Sequence, residues 1–232
     1  MTSELDYLVV SAHPDDAELG MGGTLALLKE EGASVGILDL TDGEPTPRGS
    51  QEIRAQETAA ASEVLKLDYR ASLGLKNREL TDDLPSRTIL AEAFRKIRPR
   101  RLFFPHWEDN HPDHVTACRL AEGARFWSKL TRSQLAGEPW FPARVFYYFG
   151  VHLRIHPKPS FVVDISRFME IKMQAIACYH SQVIAGRSQE YPTFLDDVRD
   201  RSRYWGWSIG CPHGEPFLSR EETGLRSLKD LI

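Results

Sequence analysis

The chain has 232 residues, which suits one large domain or two small ones. Its 29 basic and 33 acidic residues give a formal net charge of −4, and this balance argues against a dedicated nucleic-acid binder. With 41% hydrophobic and 27% charged residues, the composition also argues against a wholly disordered chain.

The sequence shows no sign of a membrane segment or a disulfide scaffold. No apolar stretch approaches the roughly 18 residues that a transmembrane helix needs, and residues 1–7 carry acids where a secretory signal carries basic residues. The three cysteines, Cys118, Cys178 and Cys211, form no CxxC pair, which fits a reducing compartment. We therefore expect a single cytoplasmic domain over residues 1–232, without nucleic-acid or membrane partners.

Strand-like and helix-like stretches alternate along the first half of the chain. The predicted strands cover residues 5–11, 34–40, 69–73 and 101–104, and the predicted helices cover residues 17–31, 51–66 and 86–97. Beyond residue 130 the pattern loosens, with strands expected at 145–149 and 161–164 and helices at 166–179 and 193–205. This order predicts an α/β fold with a Rossmann-like, mostly parallel sheet, helices on both faces and an irregular C-terminal portion.

Two clusters of histidine and aspartate follow two of these strands. One contains His13, Asp15 and Asp16, where the first strand ends, and the other is His111-Pro112-Asp113-His114, after the fourth strand. In a doubly wound sheet of order 3-2-1-4, the first and fourth strands are neighbours, and ligands bind beyond their carboxyl ends. We therefore expect the two clusters to form one site.

The residue types in these clusters are those of a metal site. His13, Asp16 and His114 would supply two imidazoles and one carboxylate, which leaves a coordination position open on a catalytic zinc ion. The same set serves non-haem Fe(II) enzymes and non-catalytic metal-binding proteins, so the ligand types alone leave the metal and the activity open. In the purely structural alternative, Asp15 and Asp16 cap the following helix and His114 is an ordinary packed histidine.

The sequence resembles the LmbE-like deacetylases, the superfamily that includes the GlcNAc-phosphatidylinositol de-N-acetylase (PIG-L). The resemblance rests on Ala12-His13-Pro14-Asp15-Asp16 paired with the later His111-Pro112-Asp113-His114. Further matching stretches are Gly20 to Thr24, Asp39-Leu40-Thr41, Arg48-Gly49-Ser50, Ile53 to Glu57 and Arg203-Tyr204-Trp205-Gly206. Among the branches, the chain is most similar to the bacillithiol-pathway group, which acts on GlcNAc-malate.

The resemblance implies a role for each residue of the two clusters. His13, Asp16 and His114 would hold Zn²⁺, and Asp15 would be the general base that takes a proton from the attacking water. His111 would support the developing oxyanion or act as an acid, with Asp113 orienting it. The implied reaction is hydrolytic removal of an N-acetyl group from an N-acetylglucosamine conjugate, with GlcNAc-malate as the leading substrate. Another GlcNAc conjugate or a chitooligosaccharide is the alternative substrate, and the relatives imply a homo-oligomer.

Arginines are the candidates for substrate binding. In the family, arginines at places matching Arg54 and Arg144 lie near the substrate or the catalytic centre, and a guanidinium suits the carboxylates of an anionic sugar conjugate. The alternatives are a solvated helix charge for Arg54 and a strand-edge ion pair for Arg144. Arg48 and Arg78 are weaker candidates, and the sequence leaves open whether Tyr191 or Phe194 lines the site.

Overall fold

The computed structural model describes residues 4–154 and 156–224. The strands are β1 (Tyr7–Ser11), β2 (Val35–Thr41), β3 (Tyr69–Leu75), β4 (Arg101–Pro105), β5 (Arg144–Tyr148), β6 (Phe161–Asp164) and β7 (Gly214–Leu218). The helices are α1 (Asp16–Glu30), α2 (Gln51–Leu65), α3 (Leu84–Ile97), α4 (Pro112–Ser128), α5 (Met169–Ala177), α6 (His180–Val183) and α7 (Phe194–Ser208). No helix within these residues combines the length and the apolar character that crossing a membrane requires.

The strands form one sheet in the order β3-β2-β1-β4-β5-β7-β6. The first five strands pair in parallel, whereas β7 runs antiparallel to both β5 and β6. Tyr7 of β1 is aligned with Val35 of β2 on one side and with Arg101 of β4 on the other. The expected Rossmann-like sheet and the neighbouring positions of the first and fourth strands are thus confirmed.

Alternate residues of the parallel strands are buried in two cores, one on each face of the sheet. Leu8 and Val10 of β1 pack with Phe94 of α3, and Val9 of the same strand packs on the other face with Leu25 of α1. Because both faces are covered by helices, the strands are apolar at consecutive positions. In a sheet of this kind, ligands bind at the end of the sheet where the carboxyl ends of the parallel strands lie.

Three elements go beyond those expected from the sequence. One is α6, which has only four residues, and the other two are longer. The first is α4, the crossover between β4 and β5, whose buried positions include the small residues Ala117, Ala121 and Ala124 and therefore carry a weak periodic signal. The second is β7, which contains Glu215 and Pro216 and lacks the composition of a strand. Its partners on both sides, β5 and β6, define it.

Glycines allow α1 to approach its neighbours closely. A Cβ atom at Gly20 would lie 2.5 Å from the ring of Tyr148, and one at Gly23 would lie 2.7 Å from the side chain of Ile165. The helix also changes direction at Met21, whose φ of −150° and ψ of 24° are not helical. Close packing thus accounts for the glycines of this segment.

A buried ion pair stabilises α1 just after this kink. The carboxylate of Glu215 accepts the backbone N–H groups of Gly23 and Thr24, at 3.0 and 2.7 Å. Lys172 of α5 donates to the same carboxylate at 2.6 Å, and both charged side chains are at most 3% exposed. Glu215 therefore acts as an internal cap for the second half of α1.

Candidate active site

The two polar clusters meet at the carboxyl ends of β1 and β4. His13 and Asp15 lie in the turn between β1 and α1, and Asp16 is the first residue of that helix. His111 lies immediately before α4, and His114 lies in the first turn of that helix. The helix begins at Pro112, and proline is favoured at the first position of a helix. The ring centroid of His13 lies 4.9 Å from that of His111 and 5.5 Å from that of His114.

Asp16 lies between the two histidines that the sequence analysis assigns to the metal. Its Oδ2 atom is 3.2 Å from His13 Nδ1, and its Oδ1 atom is 3.1 Å from His114 Nε2. The backbone N–H of His13 donates to Oδ2 at 2.9 Å, which fixes the carboxylate. His13, Asp16 and His114 each offer one ligand atom within 4.8 Å of the others.

These residues fit a metal ion that accepts nitrogen and oxygen ligands. Both ring nitrogens of His114 are buried, and neither has a hydrogen bond of good geometry to any described group. A metal ion beside Asp16 would satisfy Nε2, and two histidines with one carboxylate leave a position open, as catalytic zinc sites do. The donor set also suits Fe(II). A second set with ligand atoms equally close consists of His13, His111 and Asp113.

The environment drives the pKa values of the two adjacent carboxyl groups apart. Burial raises the pKa of Asp15, and the neighbouring Asp16 raises it further against the opposing charge of Arg54. Burial also acts to raise the pKa of Asp16, but the charges of His114 and His13 outweigh it and hold that pKa well below its usual range. A pair divided in this way suits one anchoring carboxylate and one group that transfers protons.

The pKa values of His13 and His114 are raised, whereas that of Asp16 is lowered. Burial acts to lower the pKa of each imidazole, but the charge of Asp16 outweighs it. With added contacts from Asp113 and Asp109 respectively, the pKa rises to about 9 for His13 and to about 10 for His114. Because a ligating imidazole is neutral, metal binding would release these protons.

Asp15 does not act as a helix cap. It precedes α1 with a φ of 112°, and its side chain makes no capping hydrogen bond to the helix. Arg54 of α2 instead donates to Asp15 Oδ2 at 3.0 Å and to the carbonyl oxygen of Pro14 at 2.9 Å. Arg54 is only 3% exposed, and its Nε atom lies 3.5 Å from Glu44. The guanidinium therefore holds Asp15 in place.

His111 and Asp113 make different contacts from those expected. The Nδ1 atom of His111 accepts the backbone N–H of Asp113 at 3.2 Å, so the neutral ring carries its proton on Nε2. Burial and the neighbouring His114 and His13 lower the pKa of His111 to about 4. The carboxylate of Asp113 lies 3.1 Å from His13 Nε2 and accepts the backbone N–H of Arg78 at 2.9 Å. In this structure Asp113 therefore orients His13 by its side chain and His111 by its backbone.

Both clusters line a cavity of about 260 Å³. Its other walls come from several other parts of the chain, and they include Asn77, Arg78, His152, Gln182, Arg187 and Phe194. Arg78 donates to the carbonyl oxygen of Pro45 at 2.8 Å. Arg187 donates to that of Gln182 at 2.7 Å and lies 4.2 Å from the centre of the Phe194 ring. Both guanidinium groups are exposed at the cavity and contact backbone oxygens or a ring.

The structure does not bring Arg144 to this cavity. Arg144 is the first residue of β5 and therefore lies at the amino edge of the parallel strands. It pairs with Glu221 at 2.6 Å, and both side chains are more than half exposed. The strand-edge ion pair thus describes Arg144, and the expectation that it binds substrate has no support in this geometry. Phe194 lines the cavity, whereas Tyr191 is 79% exposed and does not.

A buried network fixes the start of α1 beneath the cavity. Arg70 of β3 pairs with Asp39 of β2, with 2.9 Å between Nε and Oδ2, and with Glu18 of α1. The hydroxyl of Tyr179 donates to Glu18 at 2.9 Å, and that of Ser11 donates to Asp39 at 2.6 Å. The network thus joins the helix that begins at Asp16 to two strands.

Two further residues, Asp109 and His152, lie beside the histidines of the second cluster. Asp109 Oδ2 is 3.2 Å from His114 Nδ1, and the ring of His152 is 5.4 Å from that of His111 and 5.6 Å from that of His114. Neither residue is among those predicted from the sequence for the site. A search for polar residues after every strand could have found His152, since it follows the end of β5 by four positions.

The profile of the GlcNAc-PI de-N-acetylase (PIG-L) family matches residues 8–124, about half of the chain. The diacetylchitobiose deacetylase of Thermococcus kodakarensis is 32% identical, over 94% of this chain and 81% of that protein. The 4-oxalmesaconate hydratase of Pseudomonas putida is 26% identical, over 78% and 75% of the two chains.

Among solved structures, the conserved protein TT1542 from Thermus thermophilus superposes with a TM-score of 0.88. It is 42% identical, over 95% of this chain and 97% of that one. The profile match and the 32% identity to a deacetylase over almost the whole chain carry the assignment. The chain therefore belongs to the PIG-L family and is a hydrolytic N-deacetylase.

Proposed function

We propose that the protein is a zinc-dependent deacetylase of an N-acetylglucosamine conjugate, with GlcNAc-malate as the leading substrate. The observation that carries the proposal is the placement of Asp16 between His13 and His114, beside a cavity that Asp15 also lines. His13, Asp16 and His114 would hold the ion. Bound zinc would supply Lewis acidity, which makes water a stronger acid and polarises the amide carbonyl.

Asp15 is the group placed to move protons. Its carboxylate lines the cavity and is fixed by Arg54, so it can accept a proton from the attacking water and pass it to the amine that leaves. The N–H at Nε2 of neutral His111 would donate a hydrogen bond to the oxyanion that forms. Asp113 would orient both His13 and His111, through the contacts described above.

Two arginines support an anionic substrate. Arg78 and Arg187 both line the cavity, and the contacts described for their guanidinium groups are with backbone oxygens and a ring. A malate carboxylate would give such groups a charged partner, which a neutral sugar would not. We therefore propose Arg78 and Arg187 as the residues that bind the aglycone, in place of Arg144. Arg54 is committed to Asp15 and Glu44 and would act on the chemistry instead.

Acetate release tests this proposal directly. Metal-stripped protein would be assayed with GlcNAc-malate, a GlcNAc-inositol conjugate, N,N′-diacetylchitobiose and free GlcNAc, with and without added Zn²⁺. Release restored by zinc and fastest with GlcNAc-malate supports both the metal and the aglycone. Faster release from N,N′-diacetylchitobiose would change the proposed substrate and leave the proposed reaction unchanged. Conversion of 4-oxalmesaconate without acetate release from any sugar would overturn the proposal.

The oligomeric state and the cellular compartment are proposed from the family resemblance and the composition. Relatives of this kind imply a homo-oligomer, and the absence of CxxC pairs fits the cytoplasm. The metal itself is tested by repeating the assay anaerobically with Fe²⁺, because iron suits the same three ligands. If turnover is higher with Fe²⁺ than with Zn²⁺, the proposed metal becomes iron and the proposed roles of the residues stay the same.

A further inference from the structure

We propose that Asp109 is a positioning residue for the metal ligand His114, and that Gly150 and Arg201 hold the two side chains together. We call these three residues the His114 support. The inference deepens the proposed metal site and rests on it. It assigns to Asp109 the selection of which imidazole nitrogen of His114 carries a proton.

The first observation is the contact between Asp109 and His114. Asp109 Oδ2 lies 3.2 Å from His114 Nδ1, and the two side chains are 1% and 2% exposed. Although the angle at this contact falls short of a good hydrogen bond, Asp109 is the carboxylate placed to accept from Nδ1. Nε2 on the other side of the ring faces Asp16. A proton held on Nδ1 leaves Nε2 unprotonated and free to bind a metal, and carboxylate partners of metal-binding histidines act in this way.

The second observation is the absence of a side chain at position 150. A Cβ atom there would lie 2.5 Å from Asp109 Oδ2 and 3.1 Å from His114 Nδ1. Contacts below 3.0 Å are essentially never seen for real Cβ atoms, so with any residue larger than glycine either the Asp109 carboxylate or the backbone at position 150 would have to shift. Gly150 thus leaves space for the contact between Asp109 and His114.

The third observation is that α7 fixes the backbone around Gly150. Arg201 donates to the carbonyl oxygens of Val151 at 2.6 Å and of Gly150 at 3.0 Å, with a weaker contact to Leu153 at 3.4 Å. These bonds hold the loop that follows β5 against the Asp109–His114 pair. The loop also carries His152, which lies beside the same histidine. Helix α7 is therefore connected to the metal site through the backbone oxygens that Arg201 contacts.

Asp109 also has a purely structural contact, and the two roles are separable. Its Oδ1 atom accepts the backbone N–H of His111 at 2.8 Å, which shapes the turn into α4. In Asp109→Asn, the amide oxygen can keep this bond, and the amide NH₂ then faces His114 Nδ1. A donor at that place favours the tautomer with its proton on Nε2, which cannot ligate. The asparagine variant should therefore keep the fold and weaken metal binding.

The experiment measures zinc affinity rather than turnover. Wild-type protein, Asp109→Asn and Gly150→Ala would be stripped of metal and titrated with Zn²⁺ against a fluorescent chelator. We expect the dissociation constant of each variant to rise about 10- to 100-fold, as changes in the partners of metal ligands typically cause. The matched control is Asp82→Asn, which removes a charge from the surface partner of Arg87 and should bind zinc as wild type does.

Folding is followed separately so that a structural role is not mistaken for this one. The thermal midpoint of metal-free Asp109→Asn should stay within about 2 °C of the wild type, a shift of less than about 1 kcal/mol for this size. If the folded asparagine variant binds zinc within twofold of the wild type, the inference is overturned and the metal site stands. If the wild type itself binds no zinc, the proposed metal site and this inference fall together.

Discussion

Arg54 and Asp15 form a buried ion pair, with 3.0 Å between Nη1 and Oδ2. Arg54 comes from the start of α2 and Asp15 from the turn before α1, so the contact joins two helices at the edge of the cavity. Since Arg54 is 3% exposed and also lies 3.5 Å from Glu44, its charge is used within the protein. The orientation of the proposed general base therefore depends on a residue that the sequence analysis assigns to substrate binding.

Replacing the base should remove turnover and leave the metal in place. In Asp15→Asn the side chain keeps its size but cannot accept the proton, and general-base catalysis contributes about 10²- to 10⁴-fold. We expect kcat for acetate release to fall by at least about 10²-fold, with zinc content unchanged by elemental analysis. Asp83→Asn, at the capping position of α3, is the surface control. A variant that keeps a tenth of wild-type kcat would remove Asp15 from the mechanism.

Changing Arg54 separates its two roles by kinetics. Arg54→Lys keeps the charge but loses the geometry that reaches Asp15 and Pro14 together. Because the misplaced base acts on the chemical step, we expect kcat to fall by up to about 10²-fold while KM changes little. Steady-state kinetics on GlcNAc-malate gives both constants. A raised KM with unchanged kcat would return Arg54 to the substrate-binding role.

Arg144 should be dispensable for activity. Its ion pair with Glu221 is 55% and 51% exposed, and exposed pairs contribute about 0–1 kcal/mol. We expect Arg144→Ala to keep both kcat and KM within about twofold and to shift the thermal midpoint by at most a few degrees. Arg187→Ala serves as the contrast, since it should raise KM for GlcNAc-malate more than for chitobiose. If the two substitutions change KM for GlcNAc-malate equally, the proposal that Arg187 binds the aglycone is contradicted.

Removing the metal should affect stability as well as activity. A ligand present at about 100 times its dissociation constant stabilises the folded state by about 2.7 kcal/mol. For a protein of this size, that corresponds to a rise of about 5–11 °C in the thermal midpoint. Differential scanning calorimetry of stripped and zinc-loaded protein measures the difference. Asp16→Asn should abolish it, whereas no difference in the wild type would exclude a tightly bound ion.

The ion pair beneath α1 should be costly to break from one side. Lys172→Met would leave Glu215 buried at 1% exposure without its cation, and single removals from buried pairs cost about 3–5 kcal/mol. The double variant Lys172→Met/Glu215→Gln should recover part of this loss, since no unpaired charge remains. Urea unfolding gives the free energies, with the exposed Lys76→Met as the reference. Equal stability of Lys172→Met and Lys76→Met would show that groups other than Lys172 stabilise the buried charge of Glu215.

The sequence was most informative where parallel strands end. His13 and His114 could be placed together because neighbouring parallel strands bring their carboxyl ends to one edge, whatever the loops do. The same rule applied to Arg144 would have excluded it, because a residue at the start of β5 lies at the opposite edge.

Contacts made by loops could not be predicted in this way. Asp109 reaches His114 only because Gly150 leaves room and Arg201 holds the loop, and these three residues come from separate parts of the chain. Arg187 reaches the cavity from the loop between α6 and α7, and Phe194 reaches it as the first residue of α7. Such contacts depend on tertiary packing, which has no local signature in the sequence.

The backbone at Asp15 has a consequence for the whole molecule. A φ of 112° is unfavourable for a residue with a side chain, at a cost of about 1–3 kcal/mol, and glycine would adopt it far more easily. The turn that aims the carboxylate into the cavity is thus kept at the expense of the folded state. Folding and the proposed chemistry make opposite demands at this one position, and a chain optimised for resistance to heat alone would lose the residue that we propose as the general base.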